Sequence, residues 1–339
     1  MAQEEEPAAA VTLRAVAERA GVSTATVSRV LDGSAPASAS TRAKVKAAAR
    51  ELGYRPRGRS RAPDVTRHDA YGLVLSDLAG SHSAELVAGF ESAAADLGQG
   101  VVLVVAQRRH DASGTLQALA GRVDGLVVGA NTVPDPVVHA LSRDLPVVLL
   151  SRGEVAGCDL VRADNLSNAA ALTAHLLGHG RSHLVFVGDP DSSPDVAERY
   201  SGFRNAHVVA QVPLRRPPLR VPLVEGAGIQ VADEILRRRV RVDGLVCGND
   251  DLALAIMKRL QDNGVHLPDD LAVVGWEDVL AARYISPGLT TVRQPIRDLG
   301  RLAAEQLRTR IVGRQPAGEA QVVPTQVIIR SSCGCPALL

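Results

Sequence analysis

The chemistry most plainly available to this chain is that of cations held against phosphate. Between residues 11 and 63 stand 11 Arg or Lys against 3 acidic residues, a net of +8; Glu4, Glu5 and Glu6 give −3 and residues 64–339 give −4, returning the overall +1. Charge concentrated in one short segment is the footprint of a polyanion-binding surface, and the whole-chain balance hides it. Other candidate chemistry is thinner. Cys333-Gly334-Cys335 could hold a metal, but the sequence sets no further ligand cluster beside it. A free thiol pair is therefore expected, with no metal and no cofactor. His and carboxylate residues are scattered without His-Glu-x-x-His or nucleophile-elbow spacing. Glu225-Gly226-Ala227-Gly228 follows a strand-like run, yet a dinucleotide loop fails at Val231 and no Gly-Lys-Ser/Thr phosphate loop appears. These patterns argue against an enzyme.

The cations need a scaffold, and residues 12–54 supply one. Leu13, Val16, Ala17 and Ala20 recur at i, i+3, i+4, i+7, one buried helix face. Gly21 falls where that helix must stop and reverse, which favours positive φ. Ser23 is placed to cap a second helix. Val27, Val30 and Leu31 face back to the first helix, leaving Thr24, Ala25, Ser28 and Arg29 outward. Two short helices about a Gly turn predict a helix-turn-helix. Ser38 reads as the N-cap of a third helix. Arg55-Pro56-Arg57-Gly58-Arg59-Ser60-Arg61-Ala62-Pro63-Asp64, basic and rich in Pro and Gly, reads as a linker.

At 339 residues the chain is long enough for two or three cores. It is 46% hydrophobic, but no stretch approaches 18 uninterrupted apolar residues, so no membrane span is expected. The acidic start Met1-Ala2-Gln3-Glu4-Glu5-Glu6 lacks the features of a signal peptide, and a cytoplasmic location is expected. Beyond residue 70, β-branched runs alternate with Ala/Leu-rich stretches, which predicts parallel sheets in βαβ units. Arg122-Val123-Asp124-Gly125-Leu126-Val127-Val128-Gly129 recurs as Arg241-Val242-Asp243-Gly244-Leu245-Val246-Cys247-Gly248. Strand-like runs flank both copies: Gly72–Asp77 and Leu145–Leu150 about the first, Leu184–Asp189 and Leu271–Trp276 about the second. The echo predicts two similar α/β lobes with a ligand between them, at the carboxyl ends of the strands.

From Val11 to about Ser332 these residues resemble the LacI/GalR family of bacterial transcription repressors. The motifs that carry the likeness are Val11-Thr12-Leu13, Val16-Ala17, Ala20-Gly21-Val22-Ser23, Thr26-Val27-Ser28-Arg29-Val30-Leu31 and Leu52-Gly53-Tyr54-Arg55-Pro56. Further matches are His179-Gly180-Arg181, Arg199-Tyr200-Ser201-Gly202-Phe203, Asn249-Asp250 and Pro287-Gly288-Leu289-Thr290-Thr291-Val292-Arg293-Gln294-Pro295. The resemblance implies a small all-α helix-turn-helix domain joined to an α/β core of two doubly wound parallel sheets, like a periplasmic binding protein. It implies a tail (1–10), a DNA-binding domain (11–55), a hinge (56–69), a core (70–332) and a tail (333–339). The lobes would be discontinuous: about 70–163 with 293–323, and 164–292 with 324–332. The implied partners are a double-stranded DNA operator, a small polar effector such as a sugar, and a second copy in a homodimer, with a tetramer open.

The same resemblance assigns roles. Thr24, Ala25 and Arg29 face base edges, where Arg29 can pair bidentately with guanine. Thr12, Ser23, Thr26, Ser28 and Tyr54 stand toward phosphates. In the hinge, Pro63 takes the place of the family's wedging Leu and Gly58 weakens the helix, so Arg57, Arg59 and Arg61 are expected to supply minor-groove or phosphate attraction. Ser76, His82, Ser83, Ser151 and Arg152 would line the cleft from the first lobe, and Arg199, Asn249, Trp276 and Glu277 from the second. Arg199 and Glu277 are the expected ligand holders, able to grip vicinal hydroxyls. With aromatics at 2%, a stacking platform is not expected. A ligand-independent regulator with an unused cleft, a solute-binding protein and a nucleotide-using enzyme stand as alternatives.

Overall fold

The computed structural model describes residues 12–32, 38–52, 68–78, 80–107, 109–238, 242–313 and 318–336. Tyr54 of the expected DNA-binding domain, the expected hinge residues Arg57, Gly58, Arg59, Arg61 and Pro63, and the tail 1–10 lie outside them. The chain divides into two compact units, Met1–Thr66 and Arg67–Leu339.

The first unit is three helices: α1 (Leu13–Ala20), α2 (Thr24–Asp32) and α3 (Ala39–Glu51). Their core is small and made of Val16, Ala17, Val27, Val30, Val45, Ala48 and Ala49, edged by Leu13, Ala20, Val22 and Leu52. Small side chains let the helices approach closely. Gly21 closes α1 at φ +66, and its N–H reaches back to Ala17 O and Glu18 O. That left-handed turn costs Gly little and any other residue more. Arg19 pairs with Glu51, tying α1 to α3.

The second unit holds two α/β lobes. The larger sheet runs in the order β10-β5-β4-β3-β1-β2. Its strands are β1 (Ala70–Leu75), β2 (Gly100–Val105), β3 (Gly125–Gly129), β4 (Val147–Leu150), β5 (Asp159–Ala163) and β10 (Gln321–Val323), all paired in parallel. Helices α4 (Gly80–Asp96), α5 (Ala112–Ala120), α6 (Asp135–Leu141) and α12 (Ile296–Gly313) belong to this lobe. The smaller sheet, β6-β7-β8, contains β6 (Leu184–Val187), β7 (Gly244–Cys247) and β8 (Ala272–Val274), again parallel. Around it pack α7 (Leu166–Gly178), α8 (Pro194–Val209), α9 (Glu225–Arg238), α10 (Asp250–Gln261) and α11 (Ala281–Tyr284). One pair departs from the parallel pattern: β9 (Thr291–Arg293) and β11 (Gln326–Ile328) are antiparallel, because they are the outgoing and returning ends of the chain. Val292 and Val327 join the smaller sheet's core.

The sequence echo marks the central strand of each sheet, β3 and β7. Its Asp plays the same part twice. Asp124 Oδ1 accepts from His68 N–H, just before β1, and Asp243 accepts from the Ser182 and His183 N–H groups, just before β6. Neighbouring strands are thereby started in register.

Helix packing relies on glycine at points of backbone contact. A Cβ on Gly89 of α4 would stand 2.0 Å from Arg297 O, and one on Gly300 of α12 would stand 2.2 Å from Leu86 O. The chain crosses between the lobes three times, from β5 into α7, from β9 into α12 and from β10 into β11. Two crossings are stitched together: Asp164 N–H donates to Val323 O (2.8 Å), Thr325 Oγ1 to Asp164 O (2.8 Å), and Asn168 Nδ2 to Thr325 O (2.9 Å).

Candidate functional site

In the helical unit the hydroxyls sit at helix starts. Thr12 caps α1, accepting from Ala15 N–H at 3.3 Å. Ser23 accepts from Thr26 N–H at 3.1 Å, and its hydroxyl lies 2.9 Å from that of Thr26. Ser38 accepts from Thr41 N–H at 3.1 Å. Such starts carry unpaired N–H groups and positive potential, which suits phosphate. Thr24 and Ala25, at the start of α2, are exposed, while Val27 and Val30 are buried beneath them. The side chains of Ser28, Arg29 and Leu31 lie outside the described residues.

In the larger unit, the residues of interest follow the carboxyl ends of strands: Ser76 and Asp77 after β1, Ser151 after β4, Gly248 and Asn249 after β7, and Trp276 and Glu277 after β8. Two of these turns use positive φ at residues other than Gly: Ser151 (50°) after β4, and Glu277 (116°) with Asp278 (59°) after β8. Backbone strain of this kind persists only where the surroundings enforce it. Here Asp250 and Asp278 do so. Asp250 accepts from Thr291 Oγ1 (2.6 Å) and Val279 N–H (2.9 Å), and its own N–H donates to Trp276 O. Asp278 is buried among Arg283, Arg293 and Arg330.

Arg199 of α8 is the centre of this cluster. It is 5% exposed, with Nε donating to Asn165 Oδ1 (2.8 Å) and a terminal nitrogen to Gly248 O (2.7 Å). Its guanidinium carbon stands 4.8 Å from the centroid of the Trp276 ring, a cation–π pair. Asp195 lies 3.9 Å away, one turn earlier on α8. Burial disfavours the charge on Arg199, while Asp195 and Glu277 support it, and a guanidinium stays protonated at neutral pH. Burial pushes Glu277 up to about 8 against the pull of Arg199, with Asp250 adding to the rise. Asp250 is likewise raised by burial to about 7. His82, in the first turn of α4, is driven down to about 4 by burial and by Arg199, against Asp77. At neutral pH the site therefore holds one cation, a neutral imidazole and a Glu277 carboxyl that can donate as well as accept.

Contacts across the cleft join the lobes along the start of α8. Asn131 Nδ2 donates to Ser192 O (2.8 Å) and Arg162 pairs with Glu198. Ser76 donates to Asp77 (3.1 Å) and Ser83 to the Asp77 carbonyl (3.4 Å), so both serve the β1–α4 turn. Asn249 caps α10 and also donates to Leu223 O.

Arg152 is placed differently from its expected ligand role. It is 8% exposed and its N–H groups go to Asp135, Val133 O, Gly129 O and Thr132, all within its own lobe. That arrangement braces the β3–α6 loop. Trp276 also differs from a free stacking surface, since Arg199 covers one face. Its indole Nε1 is buried without a partner among the described residues, as are both amide atoms of Gln294 in the β9–α12 crossing. Gln294, Asn165, Asp195 and Asp250 take part in or near the site but were not candidates. Gln294 and Asp250 stood inside quoted motifs, and only tertiary contacts reveal their burial.

Comparison with known proteins agrees with this anatomy. Residues 12–57 match bacterial regulatory proteins of the lacI family, and residues 173–333 match a periplasmic binding protein-like domain. The HTH-type transcriptional regulator GalR of Salmonella typhimurium (strain LT2) is 31% identical over 327 residues, 94% of each chain. The HTH-type transcriptional repressor PurR of Vibrio parahaemolyticus is 29% identical over 330 residues, 95% of this chain and 98% of the relative. Among solved structures, the lac repressor dimer bound to operator and the anti-inducer ONPF matches with TM-score 0.74 at 26% identity, covering 96% of this chain and 99% of that one. A complex of the regulator CelR with cellobiose matches with TM-score 0.72 at 29% identity, covering 95% and 99%. Among the described residues, no helix is long and apolar enough to cross a membrane.

Proposed function

Because the chain belongs to the LacI family of bacterial regulatory proteins, we propose that it is a cytoplasmic repressor that grips a pseudo-palindromic operator as a dimer and releases or tightens that grip when a polyhydroxylated metabolite enters the cleft. Residues 11–55 form the DNA-binding domain, 56–69 the hinge and 70–332 the effector core. Thr24, Ala25 and Arg29 read bases, Arg29 through a guanine. Thr12, Ser23, Thr26, Ser28 and Tyr54 meet phosphates, and Arg57, Arg59 and Arg61 add attraction in the hinge.

One observation carries the ligand reading: the buried Arg199–Trp276–Glu277 group, with the Trp276 N–H unpartnered among the described residues. An unpaired buried N–H costs about 1–3 kcal/mol, which a bound polar molecule offsets. Arg199, Glu277 and Asn249 offer donors and acceptors from one lobe, with Ser76, His82, Ser83 and Ser151 facing them from the other. Arg152 supports the pocket from behind. Because Arg199 covers one face of Trp276, hydroxyl contacts at ligand edges matter more here than ring stacking. The relative CelR was solved with cellobiose, which suits that chemistry. Exposed Leu280, just before α11, and Tyr284, its last residue, at 67% and 80%, offer an apolar face to a second copy. The ligand acts by preferring one lobe arrangement, and its effect on DNA affinity can be no larger than that differential affinity.

The test is selection from random duplex DNA with the full-length protein, followed by a screen of sugars on the recovered site. A palindrome with a G·C pair in each half-site is expected. Arg29→Ala should lose about 1–3 kcal/mol of discrimination at that pair. Arg199→Ala should bind the site normally and no longer respond to the effector. Recovery of no motif, with binding that depends only on salt, would sink the operator reading. A normal response in Arg199→Ala would sink the cleft assignment.

A further inference from the structure

The C-terminal Cys-x-Cys does not stand alone in the fold. His175 and His179 lie four residues apart on one face of α7 and at its end, and the chain brings Cys333 and Cys335 against them from more than 150 residues away. His175 Nε2 is 3.3 Å from Cys333 Sγ and 3.5 Å from Cys335 Sγ, and His179 Nε2 is 3.2 Å from Cys335 Sγ. One ligand atom from each of the four lies within 4.8 Å of the others. We propose that His175, His179, Cys333 and Cys335 form a structural zinc site.

The distances fit the ion. With Zn–S of about 2.3 Å and Zn–N of about 2.0 Å, tetrahedral angles set S and N ligands about 3.5 Å apart. Two thiolates and two imidazoles are the donor set that zinc favours over magnesium or calcium. All four positions come from protein, which leaves no open position for substrate and makes the site structural.

The surroundings are built to hold it. Gly334, at φ +109, lets the chain curl so that both cysteines face the same way. Thr290 Oγ1 accepts from Arg330 N–H at 2.8 Å, so its own hydrogen is free for Cys333 Sγ at 3.2 Å. A hydroxyl donor aimed at a ligand sulfur stabilises the thiolate. Cys333 is fully buried while His179 is exposed, which gives an ion a way in from the surface. The site locks the returning tail to α7. Ser332, next to Cys333, in turn holds β8 by donating to Val273 O at 2.6 Å. Metal binding is thereby linked to the stability of the smaller-sheet lobe.

The test is cobalt(II) titration of metal-stripped, reduced, full-length protein, with zinc content measured on the protein as purified. One ion per chain is expected, with the intense visible bands of tetrahedral cobalt and a sulfur-to-metal charge-transfer band. His179→Ala and Cys335→Ser, neither of them fully buried, should weaken binding about tenfold or more, and Cys335→Ser should also reduce the charge-transfer band to that of a single sulfur. Chelation should lower the melting temperature of the parent and leave that of His179→Ala unchanged. Weak octahedral absorption, equal metal binding by His179→Ala, or a Cys333–Cys335 disulfide that forms in preference to metal uptake would each overturn the proposal. None of the four residues belongs to the cleft or the DNA-reading helices, so either reading can fail without the other.

Discussion

At the scale of single residues, the cleft is a set of titrating groups whose effects oppose. Glu277 and Asp250 keep their protons in the fold to about 8 and about 7, well above unfolded carboxylates, while His82 stays neutral down to about 4. A raised carboxyl stabilises the fold at low pH and loses that contribution as pH climbs through its folded value. Lowered His82 works the other way, favouring the fold as pH rises from about 4 toward the ordinary imidazole value of about 6.5. Above that, only the carboxyls act. Stability should therefore fall between pH 6.5 and 8.5, by roughly 1–2 kcal/mol for Glu277. Glu277→Gln should flatten that slope in urea titrations; an unchanged slope would place the burden elsewhere. The residues proposed for this cleft were named from the family resemblance, and the structure sets Ser76, Ser151, Asn249, Trp276 and Glu277 just after strand ends. Where their side chains turn was not legible in the sequence. Arg152 follows β4 as a ligand residue would, yet its direction depends on Asp135 and loop carbonyls that no local pattern announces. His175 and His179 stand four residues apart, but their partners arrive only through tertiary folding.

At the scale of elements, the central strands were written twice in the sequence, and the echo found β3 and β7 with their flanks. The short strands β9, β10 and β11, of three residues each, carry too little periodicity to read. Helix contacts were invisible for another reason: a mid-helix glycine reads locally as a weakness. On α4 and α12 it is what allows the backbones to touch, Gly89 against Arg297 and Gly300 against Leu86. Gly300→Ala should force the pair apart and cost roughly 1–3 kcal/mol, despite the better helix propensity of Ala. Chemical denaturation would read it, and an unaltered midpoint would mean that the helices can slide without loss.

At the scale of the molecule, the chain is two units of very different core size. The helical unit rests on a handful of Val and Ala side chains, whereas the larger unit has four extended clusters. Small cores are marginal. Calorimetry should show a weak early transition on the order of 30 kcal/mol for the helical unit, and a larger one reproduced by a fragment that begins at residue 68. A single transition, absent from that fragment, would show that the units fold as one. The triple crossing between the lobes has a consequence of its own. Cutting the backbone at any one crossing leaves two covalent tethers, so a nicked protein should keep its lobes together. Trading a lobe with another copy would require three strands to pass at once, which makes this architecture resistant to domain swapping.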